Sequence, residues 1–217
     1  MFEFAIVAGF GFLAYRHANR HEEEIGDIPR KITEKLGRLW DIAHQGMREN
    51  RFLRAEKALL TILKIDEKNA AAYNRLGILY AKQKEYKDAI DCFEIASSIE
   101  PTASSLHNLG LIYYETENYQ NAATAFEQAL KLEGDLAARH IAYAKVHEKL
   151  GNSKLMIHEL KCAVELEPNP ESYTLLMKGY ESTGNLAEAD VIASKIEKLI
   201  TPTGKKKKVS RPKNVTI

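Results

Sequence analysis

The chain has 217 residues, of which 45% are hydrophobic and 28% charged, a composition typical of a soluble globular or repeat protein that can bury a core. The net charge of +1 is unevenly spread: the last fifteen residues carry six cations and no acid, so the rest of the chain sums to −5. Two cysteines, Cys92 and Cys162, lie far apart without a CxxC pair, which argues against a disulfide framework and against a metal site.

The chain opens on an apolar segment, MFEFAIVAGFGFLAYRHANRH, in which the twelve residues 4–15 carry no charge. As a helix this run would be ~18 Å long, less than the ~30 Å core of a bilayer, but local thinning and flanking side chains can compensate. We predict an N-terminal apolar helix over residues 1–20 that serves as a membrane anchor. The side chains expected in the lipid are Phe4, Ile6, Val7, Phe10, Phe12 and Leu13.

The charges around this segment predict its orientation. Arg16 and Arg20 follow the apolar run, whereas a cleaved signal peptide would begin with basic residues. The positive-inside bias therefore places the N-terminus outside and the rest of the chain in the cytoplasm, as in a single-pass membrane protein. A monotopic or oligomerising apolar helix and a cleaved peptide remain alternatives. Residues 21–35 are predicted to form a linker and a lead-in helix.

Two stretches of the chain repeat one pattern. LGILYAKQKEYKDAIDCFEIA at 76–96 is followed thirty-three residues later by LGLIYYETENYQNAATAFEQA at 109–129, with Leu, Gly, Tyr, Tyr, Ala, Phe, Glu and Ala at the same offsets. Each copy contains two amphipathic stretches split by a polar turn, which predicts a tandem array of helix-turn-helix units. Residues 36–202 contain about five such units, at 36–69, 70–102, 103–136, 137–169 and 170–202.

The recurring residues differ in size in a way that predicts how the helices pack. Gly77 and Gly110 stand in the middle of predicted first helices, where glycine costs ~1 kcal/mol relative to alanine. Closer packing of a second helix against the glycine would offset this loss of helix propensity. Phe93 and Phe126, on the second helices, are predicted to fill the space between helices.

This pattern resembles the tetratricopeptide repeat family, which places a large apolar residue, Leu-Gly, Tyr, Ala, Phe, Ala and Pro on a period of 34 residues. The match is strongest over 70–136 and weaker over 36–69 and 170–202, as terminal repeats with a more polar outer face would be. The resemblance implies an all-α fold, a right-handed α-solenoid whose first helices line a concave groove. In the family, that groove binds an extended peptide or a helix of a protein partner.

The resemblance also implies which side chains face the groove. They mix aromatic and aliphatic residues with amides, imidazoles and cations, which suits a peptide that has apolar side chains and some acidic character. One subtype of the family binds a partner's C-terminal carboxylate through a clamp, but here only Asn108 occupies a clamp position. The predicted groove residues are Trp40, His44, Asn74, Arg75, Ile78, His107, Asn108, Leu111, Tyr114, Lys145, Lys149 and Lys178.

No catalytic motif stands out. The sequence contains no P-loop, GxGxxG before a helix, HExxH or paired CxxC. His140 and His147 lie two turns apart on one predicted helix, but His140 falls at a packing position, so we expect structural roles for both. We therefore predict no enzymatic activity, no cofactor, no metal and no small-molecule substrate.

The C-terminal residues 203–217 are polar and basic, which predicts a disordered tail. Such a tail can contact anionic lipid, bind nucleic acid without sequence preference, or serve as a nuclear localisation signal. A membrane anchor makes nuclear import the least attractive of the three. The basic residues of the tail are Lys205, Lys206, Lys207, Lys208, Arg211 and Lys213.

Two functional hypotheses follow from these features. The first is a non-enzymatic, membrane-tethered scaffold whose cytoplasmic repeats bind a protein partner in the groove. The second is a soluble adaptor associated with nucleic acid through its basic tail, in which the N-terminal apolar residues form a packing helix. The sequence names no partner and no pathway for either hypothesis.

Overall fold

The computed structural model describes residues 30–201, and this part of the chain is entirely helical. The N-terminal anchor, most of the linker and the basic tail therefore lie outside the described residues. None of the helices in the described range is long and apolar enough to cross a membrane. The helices are α1 (30–48), α2 (Phe52–Ile65), α3 (Ala70–Gln83), α4 (Tyr86–Ile99), α5 (Ala103–Glu115), α6 (Tyr119–Leu132), α7 (Ala137–Lys149), α8 (Ser153–Leu166), α9 (Pro170–Ser182) and α10 (Leu186–Ile200).

Four of the helices begin at the first residue of a predicted repeat unit. These are α3, α5, α7 and α9, which start at Ala70, Ala103, Ala137 and Pro170. α1 includes residues 30–35, the last part of the segment predicted as a linker and lead-in helix. The lead-in residues and the first helix of the first unit are thus one continuous helix.

Asparagine side chains start several of these helices. The Asn69 side chain accepts a hydrogen bond from the backbone N–H of Ala72 at 2.9 Å. Asn169 forms a capping box with Ser172, and Pro170 occupies the first turn of α9. These side chains accept hydrogen bonds from backbone N–H groups that have no partner within the helix. They thereby determine the residue at which the helix begins.

A left-handed residue follows the first helix of each unit. The backbone φ is positive at five positions spaced 33 or 34 residues apart, and the next N–H donates to the carbonyl five residues earlier, as Glu85 does to Tyr80 at 3.0 Å. This is the Schellman pattern, which ends a helix and reverses the chain. The five positions are Asn50, Lys84, Glu117, Gly151 and Gly184.

Described residues up to Ile112 form one compact unit. Its core includes Leu59, Ile62 and Leu79, which are fully buried on α2 and α3. Phe93 of α4 is also buried and lies against the face of α3 that contains Gly77. A Cβ at Gly77 would come within 2.7 to 2.8 Å of three atoms of the Phe93 ring, so the helices can approach this closely only because the residue is glycine.

Residues from Tyr113 onward form the second compact unit. Phe126 of α6 and Val146 of α7 are fully buried in one cluster, and a second cluster contains Leu176 and Tyr180 of α9. Gly179 repeats the close approach, because a Cβ there would lie 2.8 Å from Cδ1 of Leu160. The two units thus use the same device, a small residue on a first helix facing a large one on a second helix.

We predict opposite effects of alanine at two helical glycines. Gly77→Ala should lower the free energy of unfolding by about 1 to 2 kcal/mol, because overpacking against a rigid ring, at up to about 3 kcal/mol, outweighs the gain of about 1 kcal/mol in helix propensity. Gly37→Ala should instead raise it by up to about 1 kcal/mol, since Gly37 lies in α1 with nothing within 4 Å of its Cβ position. Urea denaturation followed by circular dichroism measures both. Stabilisation by both variants would contradict the close approach.

Candidate peptide-binding face

The first helices of the N-terminal unit border an open hollow of about 680 Å³. It lies between α1 and α3, and three of the predicted groove residues, His44, Arg75 and Ile78, line it. Five further lining residues were not singled out in the sequence, because they come from different turns of two helices. They are Asp41, Gln45, Met47, Arg48 and Lys82.

This hollow is positively charged. Arg48, Arg75 and Lys82 contribute three cations to its lining, against one acid, Asp41. All four side chains are exposed, and none of them forms an ion pair within residues 30–201. Cations without internal partners remain available to an acidic ligand, and guanidinium groups can bind a carboxylate through two parallel hydrogen bonds.

Two predicted groove residues hydrogen-bond to each other. Nδ2 of Asn108 on α5 donates to Oδ1 of Asn74 on α3 at 3.3 Å, and both side chains are half-buried. The residues are 34 positions apart, so the repeat places chemically identical groups side by side. The pair leaves the NH2 group of Asn74, the second N–H of Asn108 and the carbonyl oxygen of Asn108 without a side-chain partner among the described residues, and these groups are of the kinds that bind a peptide backbone.

The aromatic and aliphatic groove candidates are less available. Trp40 packs against the core of the first unit and lies 5.7 Å, centroid to centroid, from the His44 ring. Tyr114 is half-buried and meets the Tyr119 ring edge-on at 5.6 Å. Leu111 is 39% exposed and presents apolar surface to solvent. The role of these three side chains in binding stays a prediction.

The second unit contains a smaller hollow, of about 150 Å³, between α7, α8 and α9. Lys145 and Lys178, both predicted groove residues, line it and are exposed. The remaining lining is largely apolar, with Glu148 as the one acid. Lys149 is exposed but does not line this hollow. The other lining residues are Ile141, Ala144, Met156, Leu160, Leu175, Gly179 and Ser182.

The histidines of α7 have packing partners. Nδ1 of His140 lies 2.7 Å from Oε2 of Glu159, and Nε2 lies 3.0 Å from the carbonyl oxygen of Gly134. Both ring nitrogens thus lie within hydrogen-bonding distance of oxygen atoms. The side chains of His140 and Glu159 are only 13% and 10% exposed, so this pair links α7 to α8 inside the unit.

His147 is buried in a less polar setting. Its ring lies 4.3 Å from that of Tyr143, and Nε2 has no hydrogen-bond partner among the described residues. Burial lowers the pKa of His147, while the negative charge of Glu159 opposes this shift. The folded protein therefore favours the neutral ring.

The described residues offer little catalytic chemistry. No group of three or more His, Cys, Asp or Glu side chains that could hold a metal ion occurs between residues 30 and 201. Burial, together with nearby Asp88 and Asp91, raises the pKa of Cys92 to about 11, and burial also raises the pKa of Cys162. Both cysteines are free thiols, and a raised pKa keeps a thiol protonated and poorly nucleophilic near neutral pH.

Residues 68–135, which contain α3 to α6, match the tetratricopeptide repeat family. No curated protein sequence matches the chain. Among solved structures, the chain is similar to the MamA protein, with 21% identity, a TM-score of 0.71, and coverage of 82% of this chain and 99% of that chain. The MamA 41-end fragment from Desulfovibrio magneticus RS-1 is 16% identical, with a TM-score of 0.69 and coverage of 76% and 94%.

A third similar structure is YrrB, which is described as a tetratricopeptide repeat protein with an unusual peptide-binding site. It is 19% identical to this chain, with a TM-score of 0.63 and coverage of 73% of this chain and 82% of that chain. Similarity at these identities shows a shared fold. The all-helical tetratricopeptide repeat architecture predicted from the sequence is therefore confirmed, whereas the groove residues and the superhelical path stay predictions.

We predict that acid destabilises the protein partly through His147. Because the pKa of the folded state is below the unfolded value of about 6.5, the unfolded chain binds more protons as the pH falls. The contribution to stability is complete above about pH 6.5 and is lost as the pH falls toward the lowered folded pKa. Urea denaturation across this range should show a smaller loss of stability for His147→Leu than for the wild type.

His158→Leu, at an exposed position on α8, controls for the removal of a histidine from the surface. Its stability should vary with pH as that of the wild type does. If His147→Leu and the wild type lose stability in parallel, burial of the neutral imidazole is not the source of the acid sensitivity.

Proposed function

We propose that this chain is a non-enzymatic scaffold that binds a protein partner along the exposed face of its first helices. The observation that carries the proposal is the set of exposed cations without internal partners on this face, Arg48, Arg75 and Lys82, next to the half-buried Ile78. The second unit offers Lys145 and Lys178 around an apolar floor. Each hollow, taken by itself, suits an extended peptide or a helix with acidic and apolar side chains.

The amide pair supports a peptide rather than a globular surface as the ligand. Asn74 and Asn108 together offer amide N–H donors and a carbonyl acceptor at half-buried positions on first helices. A peptide main chain presents the same two groups at every residue, so the amides can fix its position whatever its side chains are. The solved structure of YrrB, whose described site binds peptide, gives a precedent within the same fold.

We further propose that the scaffold is tethered to a membrane with its repeats in the cytoplasm. The support is the uncharged N-terminal run at 4–15, followed by Arg16 and Arg20. A tether would confine the groove to a thin layer beside the bilayer and raise its effective concentration toward partners in the same membrane.

A second candidate function is a soluble adaptor that is associated with nucleic acid. It is favoured by the six cations and absence of acids in residues 203–217. In this case the phosphate backbone would supply the affinity, and binding would weaken steeply as salt is raised. The two candidates differ in what they require of the N-terminal apolar run.

We predict that peptides selected on the full chain from a random display library will be enriched in Asp, Glu, Leu and Ile. Arg75→Glu should weaken the binding of a selected peptide by about tenfold or more, because hydrogen bonds to charged groups contribute about 1.5–3 kcal/mol. Asn108→Ala should weaken peptide binding less than Arg75→Glu does, and by the same factor for peptides of different net charge. Fluorescence anisotropy with labelled peptide measures these affinities.

Lys87→Glu makes the same charge change on the outer side of α4 and is the matched control. If Lys87→Glu weakens binding as much as Arg75→Glu does, net charge rather than the first-helix face governs the affinity. Selected peptides without acidic residues would also argue against the proposed ligand class.

The membrane tether makes a separate prediction. When membranes from cells that produce the full chain are extracted with alkaline carbonate, the protein should stay in the pellet, because this treatment releases peripheral proteins but leaves spanning ones in the bilayer. Replacing Ile6 and Phe10 by aspartate should move it to the supernatant, since a charge in the bilayer core costs about 2.5–3.5 kcal/mol. Release of the wild-type chain would favour the soluble adaptor.

A further inference from the structure

The outer face of α2 differs in chemistry from that of α4, the second helix of the next unit. Leu53, Lys57, Leu60 and Lys64 follow one another at intervals of four, three and four residues, so they form one stripe along the helix. All four are exposed, Leu53 at 65% and Leu60 at 42%. We call these four residues the α2 stripe.

The equivalent stripe on α4 has a different character. The residues 34 positions later are Lys87, Asp91, Glu94 and Ser98, which include two acids and no leucine. The two helices pack through equivalent positions, and none of these belongs to the stripe. The positions are Ala55, Leu59 and Ile62 on α2 and Ala89, Phe93 and Ala96 on α4. The packing of the repeat therefore does not require the leucines and lysines of the α2 stripe. Their presence in the first unit therefore points to a contact outside the repeat.

The α2 stripe stands between two open hollows. One of about 490 Å³ lies toward α1 and is lined by Leu39, Ile42 and Leu53, and one of about 700 Å³ lies toward α3 and α4. Lys57 and Thr61 line both. Lys57, Lys64 and the neighbouring Arg54 form no ion pair within the described range. The lining of the two hollows is therefore mainly apolar and cationic, with Glu67 as its one acid, and none of these three cations is paired with an acid among the described residues.

We propose that the α2 stripe rests on an anionic membrane surface. Exposed leucines between lysines are the combination that helices use to lie in the headgroup region, where the leucines enter the apolar boundary and the lysines meet lipid phosphates. The geometry allows this contact, since only the fourteen residues 16–29 separate the uncharged run from α1. Fully extended, a segment of that length spans at most about 50 Å.

The proposal depends on the tether only for bringing the first unit close to a bilayer. With one contact at the N-terminus and a second along α2, the first unit would be held by two points and would lie against the membrane. The first-helix hollow between α1 and α3 is built from different residues than the stripe, so a peptide can occupy it while α2 contacts lipid.

The test is lysine footprinting of the full wild-type chain on vesicles. The chain is reconstituted with vesicles of phosphatidylcholine alone, or of phosphatidylcholine with a fifth of phosphatidylserine, and is labelled with an amine-reactive ester before mass spectrometry. Lys57 and Lys64 should react about fivefold more slowly on the anionic vesicles, an effect that high salt reverses. Lys87 and Lys154, exposed on α4 and α8, are internal controls whose reactivity should not change.

The outcomes separate the stripe from the tether. Association with both kinds of vesicle without protection of Lys57 and Lys64 would leave the tether in place and overturn the stripe. Protection on anionic vesicles together with no association with neutral ones would support the stripe and count against the tether. Equal protection of all four lysines would overturn the proposal, because it would reflect general adsorption.

A double variant completes the test. Leu53→Ser with Leu60→Ser removes the apolar part of the stripe at positions where the side chains are exposed, so folding should be preserved. Protection of Lys57 and Lys64 on anionic vesicles should then fall to the level of Lys87. Protection that is unchanged in this variant, or that appears only when an acidic protein is added without lipid, would overturn a bilayer as the partner of this face.

Discussion

The close approach of paired helices is the constraint from which the rest of the structure follows. At Gly77 the backbone of α3 comes so near α4 that even a methyl group would collide with the Phe93 ring. The space between α3 and α4 can hold the large Phe93 side chain only because a small residue, Gly77, stands opposite it. The residue types at these two positions therefore depend on each other. A second glycine, Gly179 of α9, allows a similar close approach to Leu160 of α8 at a different position of the repeat. The left-handed residues from Asn50 to Gly184 end the first helices at intervals of 33 or 34 residues, so each unit reverses the chain at the same point.

Regular packing has a consequence for recognition. Positions that do not pack recur at the same spacing as those that do, so Asn74 and Asn108 meet across neighbouring first helices although 34 residues separate them. In the first unit the repeat thereby brings equivalent side chains of neighbouring first helices together. Charge is distributed unevenly over this unit: the first-helix hollow of the N-terminal unit is cationic, whereas α4 carries acids on its outer side.

Buried polar groups inside the two units link neighbouring helices. His140 and Glu159 join α7 to α8, and the hydroxyl of Tyr80 on α3 donates to Glu56 on α2 at 2.8 Å. Burial and the Glu56 carboxylate both raise the pKa of Tyr80, which keeps the phenol protonated as the donor of this bond. Such buried pairs are sensitive to the loss of one partner, because the other is then left without compensation. The His140–Glu159 and Tyr80–Glu56 pairs thus give a structural role to titratable residues that are not among the predicted groove residues.

The sequence by itself determined the pairing of the helices. Residues equivalent to Leu76, Gly77 and Phe93 recur along the chain, and this recurrence gives the length of the repeat. The sizes of these residues predict that a small residue on one helix packs against a large residue on the other. The side of each first helix that faces a groove was implied only by the resemblance to the tetratricopeptide repeat family, and it stays a prediction. Only the tertiary structure decided that Arg48 and Lys82 join Arg75 in one hollow, that Trp40 and Tyr114 turn partly into the cores, and that the leucines of α2 stay exposed. The physical reason is that the periodicity of apolar residues specifies only which face of a helix a side chain occupies. The neighbours of that side chain depend on the distance between the packed helices and on which of their turns lie opposite each other.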